Sequence, residues 1–355
     1  MSGRFLRISK PTGTQRSSIA LLKATLNRSL VNTILFAPKT PPDLLWLKEV
    51  RMVPFRSMIS DHLWEQFVFP YFSDASVLWT LMGTGPILHP RKRHVMVVHD
   101  LNYMILPHIF GKAFRTWYCF ACGVAAQRAD IVVCFTNYVR VKLQDLLGIP
   151  TDRIRVIQQG PGLLGLDKPL EGPRPEAPAK PYFLCVGSLQ PHKNLAGVLA
   201  AWEVFRQQHG CFSLKVVGRA QKNFASLGLN LSRLPPNVEF TGYLGDQELI
   251  RLYRGATGCI YPSIEEGFGL PVVESFYCGC PVITSNRSCL PEVAGNAALL
   301  VNPHNTEAIA NAMAVLALDS GKAEELRAKG FERATFFTWD NAGCQMARIL
   351  EEACS

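Results

Sequence analysis

Six short apolar runs, separated by stretches with helical spacing, occupy the second half of the chain and restrict its fold more than any other feature. They are Tyr182 to Val186, Ser213 to Val217, Val238 to Thr241, Gly258 to Tyr261, Val282 to Thr284 and Ala298 to Val301. Between the first two, Leu195, Val198, Leu199 and Trp202 recur on one helical face. Near-continuous apolar strands alternating with helices predict a mostly parallel sheet covered on both faces, the doubly wound α/β arrangement. The first half repeats the theme. Phe5 to Ile8, Thr33 to Ala37, Val77 to Trp79, Val95 to Val98, Ala129 to Phe135 and Ile154 to Ile157 read as strands, with helices over Phe114 to Arg128 and Thr136 to Leu147. After Pro11 and Gly13, a helix with Ile19, Leu22 and Leu26 on one face is expected. Gly160 to Lys180 is rich in proline and glycine and reads as a connection. At 355 residues the chain accommodates two such units. The expected division is a domain over residues 1–165, a linker over 166–180, a second domain over 181–335 and a terminal helix over 336–355.

Chemistry concentrates where strands end. Tyr261 runs into Pro262-Ser263-Ile264-Glu265-Glu266-Gly267-Phe268-Gly269-Leu270-Pro271 and then Glu274. Proline suits the start of a helix, and glycines let backbone N–H groups approach a ligand at a helix N-terminus, so the loop is an anion site. A carboxylate would repel a phosphate there, which directs Glu266 and Glu274 toward hydroxyl groups. Phosphate flanked by polyol describes a sugar nucleotide. A second loop, Gly187-Ser188-Leu189-Gln190-Pro191-His192-Lys193-Asn194, follows the strand Phe183 to Val186. Asn194 reads as an N-cap, which puts Lys193 at a helix mouth. In the first half, His99 ends a strand, where open α/β sheets bind ligands; position alone suits equally a histidine that caps a turn through Asp100.

The run from Glu266 to Glu274 resembles the Glu-x7-Glu motif of the family 4 retaining glycosyltransferases, with Lys193-Asn194 and Gly83-Thr84-Gly85-Pro86 before His99-Asp100 similar to further elements of that family. The resemblance implies the α/β GT-B fold, two Rossmann-like domains facing a cleft, with acceptor on the first, nucleotide sugar on the second and the last helix crossing back. It implies catalytic roles for Lys193, Glu266 and His99. Donor binding would fall to Gly13, Gly187, Ser188, His192, Lys193, Gly267, Phe268, Gly269, Leu270 and Glu274. Glu266 would orient the transferred sugar, Glu274 would bind the ribose, and Lys193 would neutralise the departing diphosphate without a metal or other cofactor. Ser17, Ser188 and His192 depart from the family pattern, and His192 would supply a charge that depends on pH where arginine is usual. The implied activity is transfer of a hexose, mannose or glucose, to a saccharide or lipid-linked acceptor in polysaccharide biosynthesis. A nucleotide-sugar epimerase or hydrolase, and a non-catalytic binding subunit, are the alternatives.

Charge and cysteine content bear on partners. Residues 1–160 hold 20 Lys and Arg against 9 Asp and Glu, whereas the remainder holds 17 against 19. The basic excess of the first half leaves room for peripheral contact with an anionic membrane. No basic run interleaves with aromatics in a nucleic-acid motif, so nucleic acid is not expected. Cys119-x2-Cys122 lacks a second pair for zinc, and the 11 cysteines read as buried thiols of a cytoplasmic protein, placed at the inner face of the membrane if it contacts one. The N-terminal stretch shows no secretory signal, and the apolar run from Trp117 to Ala126 is too short to span a bilayer.

Overall fold

The computed structural model describes residues 1–4, 12–37, 51–54, 61–71, 75–89, 92–163, 165–173, 175, 180–218 and 234–355. The expected strand at Phe5 to Ile8 lies outside them. The chain forms two compact units, Met1–Gly162 with Thr338–Ser355, and Leu163–Phe337.

In the second unit the six expected strands are present: β7 (Tyr182–Val186), β8 (Ser213–Val217), β9 (Val238–Gly242), β10 (Gly258–Tyr261), β11 (Val282–Ser285) and β12 (Ala298–Val301). All pair in parallel, in the order β12-β11-β10-β7-β8-β9. Every residue of β7, β10 and β11 is buried, which is why these strands carry no polar alternation. Phe183, Leu214, Ile260 and Ile283 meet Trp202 and Phe205 of α6 (Leu195–Gln208) and Ile309 and Met313 of α10 (Thr306–Leu318) in one core. Much of the proline-rich connection is pinned to this unit. Leu170 N donates to Tyr277 O (2.7 Å), Arg327 to Gly172 O (2.7 Å) and Arg254 to Pro173 O (2.7 Å).

The first unit holds β3 (Val77–Thr80), β4 (Arg93–Val97), β5 (Ile131–Cys134) and β6 (Ile154–Val156) in that spatial order, all parallel, and a pair β1 (Ile34–Ala37) with β2 (Arg51–Pro54). The first three residues run between them: Phe36 N donates to Met1 O (2.9 Å), Gly3 N to Phe36 O (2.6 Å) and Ser2 N to Trp79 O (2.9 Å). Helix α1 is Gly13–Leu26, begun at Gly13 itself because Thr12 N donates to Gln15 Oε1 (2.8 Å) in a capping box. Its buried face carries Gln15, Ser18, Leu21, Leu22 and Thr25, so Ile19 and Leu26 are not its centre. The last helix, α12 (Trp339–Cys354), packs on α1, where a Cβ on Gly343 would lie 2.6 Å from the Ala24 carbonyl. Trp339 Nε1 donates to Pro161 O (2.8 Å). Cys122 is buried on α4 (Lys112–Arg128) as expected, but Cys211 and Cys354 are exposed. No helix of the described residues is long and apolar enough to cross a membrane.

Candidate functional site

With the six strands of the second unit numbered in chain order, their spatial order is 3-2-1-4-5-6, and it reverses direction between β7 and β10. Ligands of open α/β sheets bind outside the carboxyl ends of the strands at such a switch point. The two loops read from the sequence leave these two strands.

Past β7, Gly187 N donates to Val217 O (3.0 Å), and the neighbouring turn is so close that a Cβ on Gly218 would sit 1.9 Å from Gly187 O. The chain then makes a single 3-10 turn, Pro191–Lys193, whose carbonyl at His192 accepts from Ile264 N (2.8 Å). Asn194 follows in the left-handed conformation (φ 58°, ψ 36°) and does not cap α6 with its side chain. Its Nδ2 instead donates to Pro262 O (3.2 Å) and Pro303 O (2.7 Å), tying the β7 loop to the ends of β10 and β12. Gly197 makes room for it, since a Cβ there would lie 2.5 Å from Asn194 Oδ1.

These ties bring Lys193 against the β10 loop. Its Nζ donates to Glu266 Oε1 (2.6 Å) and to the Tyr261 hydroxyl (2.8 Å), and that hydroxyl donates to the same Glu266 oxygen (2.6 Å). Lys193 and Glu266 are therefore bonded partners. Burial pushes the Glu266 carboxyl up, but the Lys193 charge first, and then the bonds from Lys193 and Tyr261, outweigh it and hold the pKa below the usual carboxylate value. His192 is 3% exposed, and its Nδ1 has no hydrogen-bond partner among the described residues. Burial, then the Lys193 charge, lowers its pKa to about 4 against an opposing pull from Glu266. His192 is thus neutral at neutral pH and supplies no charge that depends on physiological pH, contrary to the expectation from its residue type.

Gly269 precedes α8 (Leu270–Tyr277) with φ 92°, and a Cβ on it would lie 2.6 Å from Leu290 Cδ2. Pro271 is the second helical residue, one place later than expected. Phe268 turns its ring into the core, edge-on to Phe337 at 5.6 Å. Gly267 is buried beside it, Leu270 is half-buried, and Gly187 and Ser188 line the β7 loop half-buried. Glu274, on α8, accepts a bond from the buried Tyr253 hydroxyl (3.0 Å). Burial and the Glu274 charge drive the Tyr253 phenol well above its ordinary pKa, so it stays a donor. Each glutamate thus accepts from a tyrosine hydroxyl of the same unit, Glu266 from Tyr261 and Glu274 from Tyr253. Neither tyrosine was singled out from the sequence, although a tyrosine closing an all-apolar strand needs a partner for its hydroxyl.

Two expected residues belong to the first unit. His99 follows β4, half-buried, with Nε2 2.8 Å from Leu81 O and 3.3 Å from Ser18 Oγ. The carbonyl fixes the proton on Nε2 and leaves Nδ1 as acceptor. Burial lowers the pKa to about 4, partly offset by the Leu81 bond. Gly13, exposed, opens the helix that supplies Ser18.

A family model for glycosyl transferases group 1 matches residues 171–333, the stretch that carries both loops. O-antigen chain mannosyltransferase B of Escherichia coli is 27% identical over 271 residues, covering 72% of this chain and 70% of that protein. O-antigen chain mannosyltransferase RfbU of Salmonella typhimurium is 26% identical, covering 65% and 62%. The serotype-specific mannosyltransferase WbdA of Escherichia coli is 28% identical, but this chain spans 32% of its length. Among solved structures, Anabaena Alr3699/HepE in complex with UDP-glucose superposes with TM-score 0.74 at 17% identity, covering 98% of each chain. WaaG, a glycosyltransferase involved in lipopolysaccharide biosynthesis, gives 0.73 at 16%, also covering 98% of each. The fold is GT-B. The family model is thus seated on the switch point of the second sheet, so residues 171–333 carry a glycosyl transferases group 1 domain, and the similarity to the mannosyltransferases extends beyond it.

Proposed function

We propose that this glycosyltransferase moves a hexose, mannose in first place and glucose in second, from a nucleotide-diphosphate sugar to a saccharide or lipid-linked acceptor in polysaccharide biosynthesis. The observation that carries the reading is the bonded group Lys193, Glu266 and Tyr261 at the switch point, one cation and one carboxylate beside a glycine loop and the start of α8. The O-antigen mannosyltransferases among the relatives support mannose and a polysaccharide product, and the UDP-glucose complex of the Anabaena protein supports a nucleotide-sugar donor.

In this reading the donor's diphosphate lies over Gly267, Phe268, Gly269 and Leu270, with Gly187, Ser188 and His192 on the other side. Lys193 and the backbone N–H groups stabilise the charge that grows on the diphosphate as its bond to the sugar breaks, a preorganised electrostatic role. Glu266 accepts from sugar hydroxyls and Glu274 from the ribose. A neutral His192 offers a hydrogen bond to the phosphates rather than a charge. The diphosphate is held without a metal or other cofactor, and the anomeric configuration is retained; both extend the family resemblance. His99, whose Nδ1 is left as an acceptor, has a catalytic role, and Gly13 a donor-binding one. The basic excess of residues 1–160 suits a lipid-phosphate-linked acceptor at the inner face of a membrane, with the protein in the cytoplasm.

Incubation with radiolabelled GDP-mannose, UDP-glucose and ADP-glucose, each with lipid extracts as acceptor, tests the reading. Labelled product is expected from one donor and absent with Lys193→Ala or Glu266→Ala in folded protein. Epimerised or hydrolysed donor without any glycosylated product, or donor binding without turnover, would replace it by one of the alternatives.

A further inference from the structure

Tyr261 is the last residue of β10 and is 2% exposed. An ammonium only donates and a carboxylate only accepts, so the directions of its bonds are set: the hydroxyl accepts from Lys193 and gives its one proton to Glu266. Thr284 Oγ1 donates to the Tyr261 carbonyl (2.9 Å), which anchors the residue from β11. Burial and the adjacent Glu266 charge raise its phenol well above the ordinary pKa, so the proton stays on the hydroxyl. A phenylalanine would fill the same volume on this apolar strand. The hydroxyl therefore has a purpose other than packing.

The carboxylate it touches depends on very few groups. Lys193 supplies the charge at 2.6 Å. His192 faces the carboxylate but is neutral. The Cys289 thiol, driven well above its ordinary pKa by burial and then by Glu266, Glu265 and Glu292, remains protonated and adds no positive charge. Among the described residues, Lys193 and Tyr261 are the two that donate hydrogen bonds to Glu266. A diphosphate bound at the loop competes for the Lys193 ammonium. Once that cation is engaged elsewhere, a carboxylate with an 8% exposed side chain has lost most of what keeps it charged.

We propose that Tyr261 is a positioning residue whose hydroxyl keeps the Glu266 carboxylate in place and ionised when Lys193 turns to the diphosphate of the donor. The proposal rests on the reading of this site as the donor site. Glu266 could then accept hydrogen bonds from the sugar throughout the reaction, because its charge would not depend on the same cation that stabilises the leaving group.

Proton exchange on nucleotide binding reads this directly. Calorimetric titrations with GDP, UDP and ADP at pH 6, in buffers of different ionisation enthalpy, give the number of protons taken up. The nucleotide's own phosphates contribute alike to every variant. Tyr261→Phe is expected to take up more protons than the wild type, by as much as about one per nucleotide, as Glu266 is neutralised on binding. The excess should vanish in Tyr261→Phe with Glu266→Gln. A purely structural role for the hydroxyl would lower the melting temperature and leave proton uptake unchanged. Binding with wild-type uptake in Tyr261→Phe, or an excess that persists in the double variant, overturns the proposal and leaves the donor site intact. Failure of all three nucleotides to bind the wild type removes the donor-site reading and the proposal together.

Discussion

Lys193→Met removes the ammonium at 2.6 Å from Glu266 and leaves an apolar stem of similar length. Glu266 keeps the Tyr261 hydroxyl but loses its counter-charge, and breaking a buried pair by removing one partner costs about 3–5 kcal/mol. Lys193 is 20% exposed, so water reaches the gap and the lower end of that range applies. Protonation sets a ceiling. A carboxyl can escape the penalty by taking a proton, at about 1.4 kcal/mol for each pH unit above an unfolded pKa of about 4.3. The ceiling is therefore about 4 kcal/mol at pH 7 and about 1 kcal/mol at pH 5. The sign agrees with the wild-type site. A carboxyl whose native pKa is depressed contributes stability above its unfolded pKa and loses it as pH falls through the native value. Urea unfolding at pH 5, 6 and 7 should show Lys193→Met less stable than wild type by about 2–4 kcal/mol at pH 7, with the gap narrowing to about 1 kcal/mol or less at pH 5. Adding Glu266→Gln should recover much of the stability without restoring transfer, since the amide needs no cation. A Lys193→Met protein as stable as wild type at pH 7, or a gap that stays constant with pH, would refute this account of the pair.

Other substitutions probe the surrounding frame. Gly269→Ala combines a left-handed φ with a Cβ 2.6 Å from Leu290 Cδ2, and a loss of about 1–3 kcal/mol in urea unfolding is expected. Tyr253→Phe withdraws the buried hydroxyl that donates to Glu274 and should cost about 1–3 kcal/mol of stability and raise KM for the donor; an unchanged KM would separate Glu274 from nucleotide binding. The His192 ring should remain neutral in NMR titration down to about pH 5, because burial holds its pKa near 4. Its native state therefore binds fewer protons than the unfolded chain between about pH 6.5 and 4, so its contribution falls as the solution is acidified. Gly343→Val should lower the melting temperature by prising α12 from α1, where the Ala24 backbone leaves no space for a side chain.

Legibility followed burial. Strands β7, β10 and β11 are buried along their whole lengths, so their apolar runs mark them within a residue. Helix α1 was harder to orient because its inner face carries Gln15, Ser17, Ser18 and Thr25, which satisfy themselves by bonds such as Ser18 to Leu81 O and Thr25 to Leu21 O. Helix α2 (Asp61–Phe67) went unnoticed for a related reason. It buries Glu65 and Gln66, polar residues whose partners, Arg4, Ser2, Thr84 and Gly85, are scattered over more than eighty positions of sequence. Lys193, Glu266 and Glu274 stood out because they flank glycine loops. Tyr261 and Tyr253 did not, because one closes a strand and the other sits inside a helix, and each meets its glutamate only in the folded chain.

Asn194 and His192 show what residue type alone leaves open. Asparagine before a helix suggests a cap, yet it is also one of the few side chains that accept left-handed backbone. Here the second property is used: the positive φ turns the chain sharply after Lys193, and the amide is then free to bind Pro262 O and Pro303 O. Those bonds, with Ile264 N on His192 O, join the two loops that hold Lys193 and Glu266. A cap would instead have needed extended backbone at Asn194 and its Oδ1 aimed at the N–H groups of α6, a different placement of the amide whose Nδ2 makes these two ties. Histidine at the next-but-one position suggests a pH-dependent cation, yet the junction that Asn194 secures also buries its imidazole beside Lys193, and both effects hold it neutral. The charge of the site thus rests on one lysine, which follows from how tightly the two loops are joined.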